Sequence, residues 1–333
     1  MVGIDIKKRG IIDAKVTEQS KGIAILLVIL GHLHIIPRSG AWGVAIFLLL
    51  SGFGLTQSYL KNGLNNFLAK RLSKVILPYF IVTSVWLILD TFILNKHYSF
   101  ITIILGLSGL DFKATIDASM WYITYIILWY LMFYLVFKFS MNTIVRLAIL
   151  FSFASLLGIL DIKLNIFAYG SGAYLYIFEF PLGVLFGILY SKIIDIKINK
   201  LMVSVASITI LSFLLFFFFL NQLNQAGFYA ELCYALSNLA CGIGIISFLS
   251  FISFYKISSH ILLFLGSISY ELYLLEWAFL AKYKIFDGIK DTNYIGYLVT
   301  YFTFIIILSF FIKKFMGATF TTRSLSKSRS RIK

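Results

Sequence analysis

The chain has 333 residues, of which 60% are hydrophobic and only 13% are charged, whereas a soluble domain is near half apolar and a quarter charged. This composition excludes an ordinary soluble protein, and no long Gly/Ser-rich stretch separates two soluble domains. The net charge of +15 does not indicate a nucleic-acid partner, because Lys and Arg are dispersed between apolar segments. We therefore expect one membrane domain in contact with the lipid bilayer.

Ten apolar segments are long enough to cross a bilayer, which takes roughly 17 to 25 residues in a helix. They are centred on residues 21–36, 41–60, 75–94, 119–138, 143–160, 174–191, 201–221, 229–254, 259–281 and 295–315. A further apolar stretch, 99–108, is too short to span and is interpreted as re-entrant or interfacial. The sequence thus predicts an all-α polytopic membrane protein with about ten transmembrane helices.

The distribution of basic residues predicts the orientation of these helices. With ten spans, 22 of the 29 Lys and Arg residues fall on the side of the amino terminus, and cytoplasmic loops carry such an excess. The other side has only Arg38, Lys96, Lys113, Lys163, Lys282, Lys284 and Lys290. Both termini are therefore predicted to be cytoplasmic, and the cell membrane is the expected location.

This division predicts three parts of the chain. Residues 1–20 form a cytoplasmic amino-terminal segment, residues 21–316 form the membrane domain, and residues 317–333 form a basic cytoplasmic tail. Cys233 and Cys241 lie within one apolar segment and lack a CxxC spacing, so no disulfide framework and no metal site are indicated.

Ionisable side chains inside apolar segments mark candidate functional sites, because each costs a few kcal/mol to insert into a bilayer. The candidates are His32, His34, Asp90, Glu179, Glu231, Glu271 and Glu276. Asp90 and Glu231 lie near predicted helix ends, where a side chain that reaches the interface is the simpler interpretation.

His32 follows Lys21 by eleven residues, which places it about 16 Å further along a helix and near the same face. A basic residue would then mark the cytoplasmic mouth, with an imidazole inside the membrane. A helix-packing histidine is an equally good interpretation of His32 by itself. His34 points about 200° around the helix from His32, so the two do not share a ligand, and His34 is interpreted as interfacial.

Glu271 and Glu276 diverge by about 140° on a helix and are not expected to act as a pair. Glu179 comes two residues before Pro181, which disrupts helices and frees carbonyl groups for a site. Each of these carboxylates is a candidate partner for His32, and the sequence leaves the choice open.

A basic cluster precedes the third apolar segment. It consists of Lys61, Lys70, Arg71 and Lys74. Such clusters are usually topology signals, but Arg and Lys also offer charge-assisted donors to the phosphates of an anionic donor molecule.

Six stretches, taken in chain order, resemble the membrane acyltransferase family 3. They are SKGIAILLVILGH (20–32), GVAIFLLLSGFGL (43–55), FLAKRLSKVILPYF (67–80), MWYITYIILWY (120–130), YIFEFPLGVLFG (176–187) and FLGSISYELYLLEW (264–277). The resemblance implies ten membrane helices and transfer of an acyl group, often acetyl or succinyl, from cytoplasmic acyl-CoA to a hydroxyl of a surface polysaccharide or lipid-linked saccharide.

The resemblance also implies roles for particular residues. The family's basic residue and histidine of the first helix correspond to Lys21 and His32, and its basic pair before the third helix corresponds to Arg71 and Lys74. Lys stands at two of these positions where Arg is commoner. Glu276 occupies a position where many members have a histidine, so a second catalytic imidazole is not expected there.

Acyl transfer from a thioester to an alcohol needs a base for the hydroxyl proton. His32 is the predicted base, with Glu179 or Glu276 as the carboxylate that orients the imidazole. The predicted donor is acyl-CoA, most simply acetyl-CoA, bound by Lys21, Lys70, Arg71 and Lys74. Ser51 is an alternative nucleophile, although helix packing explains it more simply.

Two other functions remain open from the sequence. A transporter or flippase of a glycan or glycolipid also buries charged groups between helices, but the two halves of the chain show no convincing repeat. A non-catalytic subunit that works with glycan-assembly proteins is the third alternative. The acyl group, the acceptor sugar, the membrane face of transfer and the oligomeric state are not predicted.

Overall fold

A computed structural model describes residues 11–168, 170–193, 197–224, 227–290 and 293–329, and their side chains except those of 191–193 and 317–329. The described residues are mostly α-helical and contain no strand. The α-helices in these ranges are α1 (Ala14–His32), α2 (Ser39–Asn62), α3 (Phe67–Ile93), α4 (Phe100–Ser108), α5 (Trp121–Lys138), α6 (Thr143–Leu164), α7 (Glu179–Ile193), α8 (Ile198–Asn221), α9 (Phe228–Ser253), α10 (His260–Ser267), α11 (Ser269–Trp277), α12 (Asp287–Lys290) and α13 (Tyr294–Arg329). The predicted all-α fold of a polytopic membrane protein is confirmed.

Each of the ten predicted segments coincides with a helix or a pair of helices. Within the described residues, eight helices are long and apolar enough to cross a membrane, or nine if the bent pair α10 and α11 is one span. The one predicted segment that is not among these nine corresponds to α1, whose first half carries polar residues. The count of ten and the cytoplasmic termini therefore stay predictions.

Helix α1 begins earlier than predicted, because the Asp13 side chain accepts a hydrogen bond from the Val16 backbone N–H at 2.8 Å and caps the helix. It contacts α2, α9, α10 and α11, and Ala24, Ile25 and Ile29 are buried. Among the polar residues of α1, Gln19 and Ser20 are buried against other helices, and Glu18 and Lys21 line a cavity. This surrounding explains how a helix of low hydrophobicity occupies the interior of the domain.

Two glycines of α7 allow this helix to lie directly against α2. A Cβ atom on Gly183 would lie 2.3 Å from the Leu49 carbonyl oxygen, and one on Gly187 would lie 2.7 Å from the Thr56 Cβ atom. Any larger side chain would force the helices apart. The small-xxx-small spacing of these glycines therefore has a packing role.

The predicted span 259–281 is bent. Its two parts, α10 and the stretch from Ser269 to Lys282, meet at an angle of 66°, and the last five residues of the second part form a π-helix. Gly266 packs so closely on α1 that a Cβ atom there would lie 1.8 Å from the Glu18 carbonyl oxygen. The bend places α10 across the start of α1, while α11 continues toward the other end of α1.

Asp90 does not reach the interface, in contrast to the sequence interpretation. Its side chain is fully buried and pairs with the Lys282 Nζ atom at 2.6 Å. The Tyr98 and Tyr283 hydroxyls donate to its two carboxylate oxygens at 2.6 and 2.8 Å. This Asp90 cluster joins α3 to the π-helix after α11, a contact between residues almost 200 positions apart that no local pattern reveals.

The predicted orientation can be tested by cysteine accessibility. Cys233 and Cys241 are buried, so a background in which both are replaced by Ala is a suitable host. In intact cells we expect an impermeant maleimide to label Lys290→Cys, and to label Ser326→Cys only after the membrane is permeabilised. The reverse labelling pattern would show that the orientation is inverted, and labelling of both sites in intact cells would show that α13 does not cross the membrane.

Candidate active site

A cavity of about 770 Å³ runs alongside α1. Lys21, Lys74 and Lys313 line one end of it, which we call the basic end. Arg38, which follows α1 in the chain, lines the other end, which we call the Arg38 end. His32 lies between them, so the cavity follows the helix face on which the sequence places Lys21 and His32.

The structure brings His32 and Glu276 together across 244 positions in the sequence. The His32 Nδ1 atom lies 2.7 Å from the Glu276 Oε1 atom. The His32 side chain is 30% exposed and lines the cavity, whereas the Glu276 side chain is completely buried behind it. The second oxygen of Glu276 has no hydrogen-bond partner among the described residues, so this carboxylate is directed at His32.

Neighbouring groups fix this pair in position. The Trp277 indole packs edge-on against the His32 ring, with ring centroids 4.7 Å apart. The Tyr301 hydroxyl of α13 donates to the Glu276 backbone carbonyl at 3.0 Å. Since Tyr301 and Glu276 are fully buried, the carboxylate has little freedom to turn away.

The contact defines the proton arrangement of the imidazole. An ionised carboxylate only accepts hydrogen bonds, so His32 Nδ1 carries the hydrogen and Nε2 keeps its lone pair. A buried carboxylate also stabilises the imidazolium that forms when Nε2 takes a proton. The pair has the arrangement of a general base with its orienting group.

A second buried carboxylate lies beside the cavity. Asp117 Oδ1 accepts hydrogen bonds from the backbone N–H and the hydroxyl of Ser119 at 2.9 and 2.8 Å, and Ser119 lines the cavity. Burial raises the pKa of Asp117, while the Lys282 charge lowers it. The Tyr273 hydroxyl donates to the Ser119 carbonyl, which connects this turn to the helix that carries Glu276.

The Asp90 cluster supports the same turn. Lys282 Nζ, besides pairing with Asp90, donates to the Ile116 carbonyl at 2.7 Å. The segment from Ile116 to Ser119 is thus held by Lys282 on one side and by Tyr273 on the other. We infer that the cluster keeps this wall of the cavity in register with His32.

The basic end is built where three helices meet. Lys313 of α13 donates to the Ser267 carbonyl at the bend between α10 and α11, at 2.6 Å. The Tyr270 hydroxyl donates to the Val75 carbonyl at 2.6 Å, which brings the neighbouring Lys74 to the same place. Lys21 pairs with Glu18 at 3.0 Å. Three ammonium groups therefore surround this mouth, with Glu18 and Glu271 as the carboxylates among its described lining residues.

Other predicted site residues do not line the cavity. Lys70 is exposed, and Arg71 is half-buried and interacts electrostatically with the cavity residue Tyr130. Glu179 is buried at the start of α7, beside the backbone N–H groups of Phe178 and Glu179. His34 is exposed.

Ser51, the alternative nucleophile, does line the cavity. It lies near the phenols of Tyr122 and Tyr130, which also line the cavity, and has no contact with His32 among the described hydrogen bonds.

Sequence reasoning did not single out Arg38, Lys313 and Ser119, which line the cavity. Arg38 was counted as a loop residue, Lys313 as one of the 22 basic residues on the amino-terminal side, and Ser119 was not singled out. Lys313 carried a signal, because it lies near the end of the predicted span 295–315, on the side to which the charge distribution assigns Lys21. Arg38 and Ser119 have no such signal, because only the packing of distant helices places them on the cavity.

The described part of the chain is thus an all-helical domain with a histidine–carboxylate pair at a cavity. The family model of the acyltransferase family 3, described as an acyltransferase domain, matches residues 18–314. The chain belongs to this family, and it is a multi-pass membrane protein of the acyltransferase class. No curated protein and no solved structure matches the chain significantly.

Proposed function

We propose that the protein transfers an acyl group, most simply acetyl, from acyl-CoA to a hydroxyl of a surface polysaccharide or lipid-linked saccharide in the cell membrane. The observation that carries this proposal is the His32–Glu276 pair, which faces a cavity with separate ends. Family membership supports acyl transfer over the transporter and the assembly-subunit alternatives.

In this proposal the acyl donor occupies the basic end. The phosphates of CoA bind Lys21, Lys74 and Lys313, and Lys70 and Arg71 on the adjoining turn of α3 add to the positive field. CoA carries its thioester at the end of a long flexible arm. The arm would lie along α1, which spans about 16 Å between Lys21 and His32, and it would bring the thioester to the imidazole.

The acceptor hydroxyl approaches His32 from the Arg38 end. His32 Nε2 takes the hydroxyl proton while the oxygen attacks the thioester carbonyl. The C–S bond then breaks, the ester remains on the saccharide, and the imidazolium returns the proton to the CoA thiolate. Glu276 stabilises the imidazolium throughout this step.

The experiment that tests this function uses the purified full chain in lipid nanodiscs. We expect acetyl-CoA to be consumed in the presence of a saccharide acceptor, with formation of an alkali-labile acetyl ester that mass spectrometry detects on the sugar. In parallel, sealed vesicles report whether the saccharide crosses the membrane. Movement of unmodified saccharide without any ester would replace the proposal with the transporter alternative.

The donor site gives a separate prediction. Lys313→Gln and Lys74→Gln are each expected to raise the acyl-CoA concentration needed for half-maximal rate roughly tenfold, since each removes one charge-assisted phosphate contact. The maximal rate should be retained. Lys314→Gln is the matched control, because Lys314 is exposed and does not line this cavity. If all three variants reach half-maximal rate at the same acyl-CoA concentration as the wild type, Lys74 and Lys313 do not bind the donor and serve only as topology signals.

A further inference from the structure

The Arg38 end of the cavity has one charged group among its described lining residues. The charged lining residues at the basic end are Glu18, Lys21, Lys74, Glu271 and Lys313, and Arg38 lies at the opposite end. Glu276 is buried behind His32 and contributes no surface there. The end away from the proposed donor site is therefore positively charged.

The backbone around Arg38 is tightly held. Arg38 adopts a left-handed conformation, with φ of 69°, immediately before α2. The buried Ser39 hydroxyl lies 2.8 Å from the carbonyl oxygens of both Leu27 and Ile36. A Cβ atom on Gly31 would lie 2.5 Å from the Gly40 backbone nitrogen, so α1 and α2 are in close contact here. The backbone of this turn is therefore held in place, and the exposed Arg38 side chain extends from it.

The Arg38 guanidinium has no ion-pair partner among the described residues. Its neighbour is the Tyr234 ring, whose centroid lies 5.9 Å from the Cζ atom. Glu231, one turn earlier on α9, is exposed and does not line the cavity. A guanidinium packed on an aromatic face keeps its planar fork of donors available for a carboxylate or phosphate.

Aromatic side chains form the wall beside Arg38. Tyr234, Tyr176 and Trp121 all line the cavity, and the Trp121 and Tyr176 rings are stacked with centroids 5.9 Å apart. Apolar and aromatic walls with a few placed polar groups are typical of small-molecule sites. A flat aromatic wall next to a cation suits a sugar ring that carries an anionic group.

We propose that the acceptor is an anionic saccharide whose carboxylate or phosphate binds Arg38. The inference rests on the proposed function, which assigns the acceptor to this end, and it adds the charge of the acceptor. The same oxyanion chemistry comes from two sources, a uronic acid within a glycan or the phosphate of a sugar–phosphate linkage. Arg38 is then a specificity-determining residue that positions the acceptor hydroxyl toward His32.

The test compares matched acceptors with the full chain in nanodiscs. The acceptors are methyl glucoside, methyl glucuronide and glucose 1-phosphate, which are neutral, carboxylated and phosphorylated. We expect the wild type to have the lowest KM for one of the two anionic sugars, and Arg38→Gln to raise that KM about tenfold or more. The KM for methyl glucoside and for acetyl-CoA should not change. The sugar that responds identifies the source of the oxyanion.

Two variants serve as controls. Arg38→Lys keeps the charge and loses the planar fork, so an intermediate KM is expected. Lys163→Gln removes an exposed cation in the last turn of α6. This residue does not line the cavity, so the variant should leave every KM unchanged. A similar change for neutral and anionic sugars in Arg38→Gln, or a wild-type preference for methyl glucoside, would overturn the proposal.

Direct binding separates this inference from the proposed function. Calorimetric titration with the same three sugars does not require acyl transfer. If no sugar is acylated, the proposed function fails, but weaker binding of an anionic sugar to Arg38→Gln than to the wild type still supports the site. Equal binding to both proteins, or no binding of either anionic sugar, would reject it.

Discussion

Replacement of His32 by Ala is expected to reduce acyl transfer by about 100- to 10,000-fold, the range for loss of a general base. The reason is geometric, because His32 Nδ1 is engaged with Glu276 at 2.7 Å and the opposite nitrogen is free to take the acceptor proton. The measurement is the rate of ester formation on the saccharide by the purified variant. Protein level and membrane insertion should be retained, since the ring fills the edge of a cavity.

Glu276→Gln should fall in the same range, because an amide neither stabilises an imidazolium nor enforces the tautomer. If the two residues act as one unit, the double variant His32→Ala/Glu276→Gln should be no slower than either single variant. Losses that multiply in the double variant would show independent roles.

His34→Ala and Glu179→Gln are the controls for these variants. His34 is exposed, and Glu179 lies at the start of α7, away from the cavity lining. His34→Ala should therefore be tolerated. A near-normal rate for His32→Ala together with a strong loss for Glu179→Gln would move the chemistry to the α7 carboxylate.

The helices were predictable from the sequence because the bilayer imposes a length and an apolar composition on each span. The face of α1 that carries His32 and Lys21 was also predictable, because a spacing of eleven residues brings both side chains to one side of a helix. The family resemblance narrowed the role of the histidine. The helices and the shared face of α1 follow from local spacing, which can be read from a single sequence.

The partner of His32 was not predictable in the same way. Glu179 and Glu276 were equivalent candidates, and only the course of α11 along α1 distinguishes them. That course depends on the bend at Ile268 and on the close contact of Gly266 with Glu18. Helix propensity and hydropathy do not reveal a bend that is set by packing on another helix.

The surroundings of polar residues near helix ends were harder to predict than the partner of His32. A carboxylate such as Asp90 reaches the interface or pairs inside the protein, depending on a partner that comes from elsewhere in the fold. Lys282 is that partner in this chain. The sequence analysis had counted it only as one of the basic residues on the non-cytoplasmic side. The long sequence separation of such contacts explains why this cluster was missed.

The Asp90 cluster leads to the second large prediction, which concerns stability. Asp90→Asn should lower the free energy of unfolding by about 3–5 kcal/mol, because it leaves the buried Lys282 ammonium without its counter-charge. Lys282→Met should have a comparable cost, since Asp90 then keeps only the Tyr98 and Tyr283 hydroxyls. The measurement is the unfolding transition of the purified variants in detergent, and acyl transfer should fall as the turn at Ser119 loosens.

The double variant Asp90→Asn/Lys282→Met shows whether the loss of stability in the single variants comes from the broken charge pair or from a change in packing. Removing both charges leaves no unpaired buried ion, so the double variant should recover most of the stability that each single variant loses. Lys284→Met, at an exposed position two residues further along, should have little effect and controls for loss of a positive charge near the membrane. If the double variant is as unstable as the sum of the single variants, the two charges contribute independently. The Asp90 cluster would then owe its effect to packing and to its tyrosine hydrogen bonds.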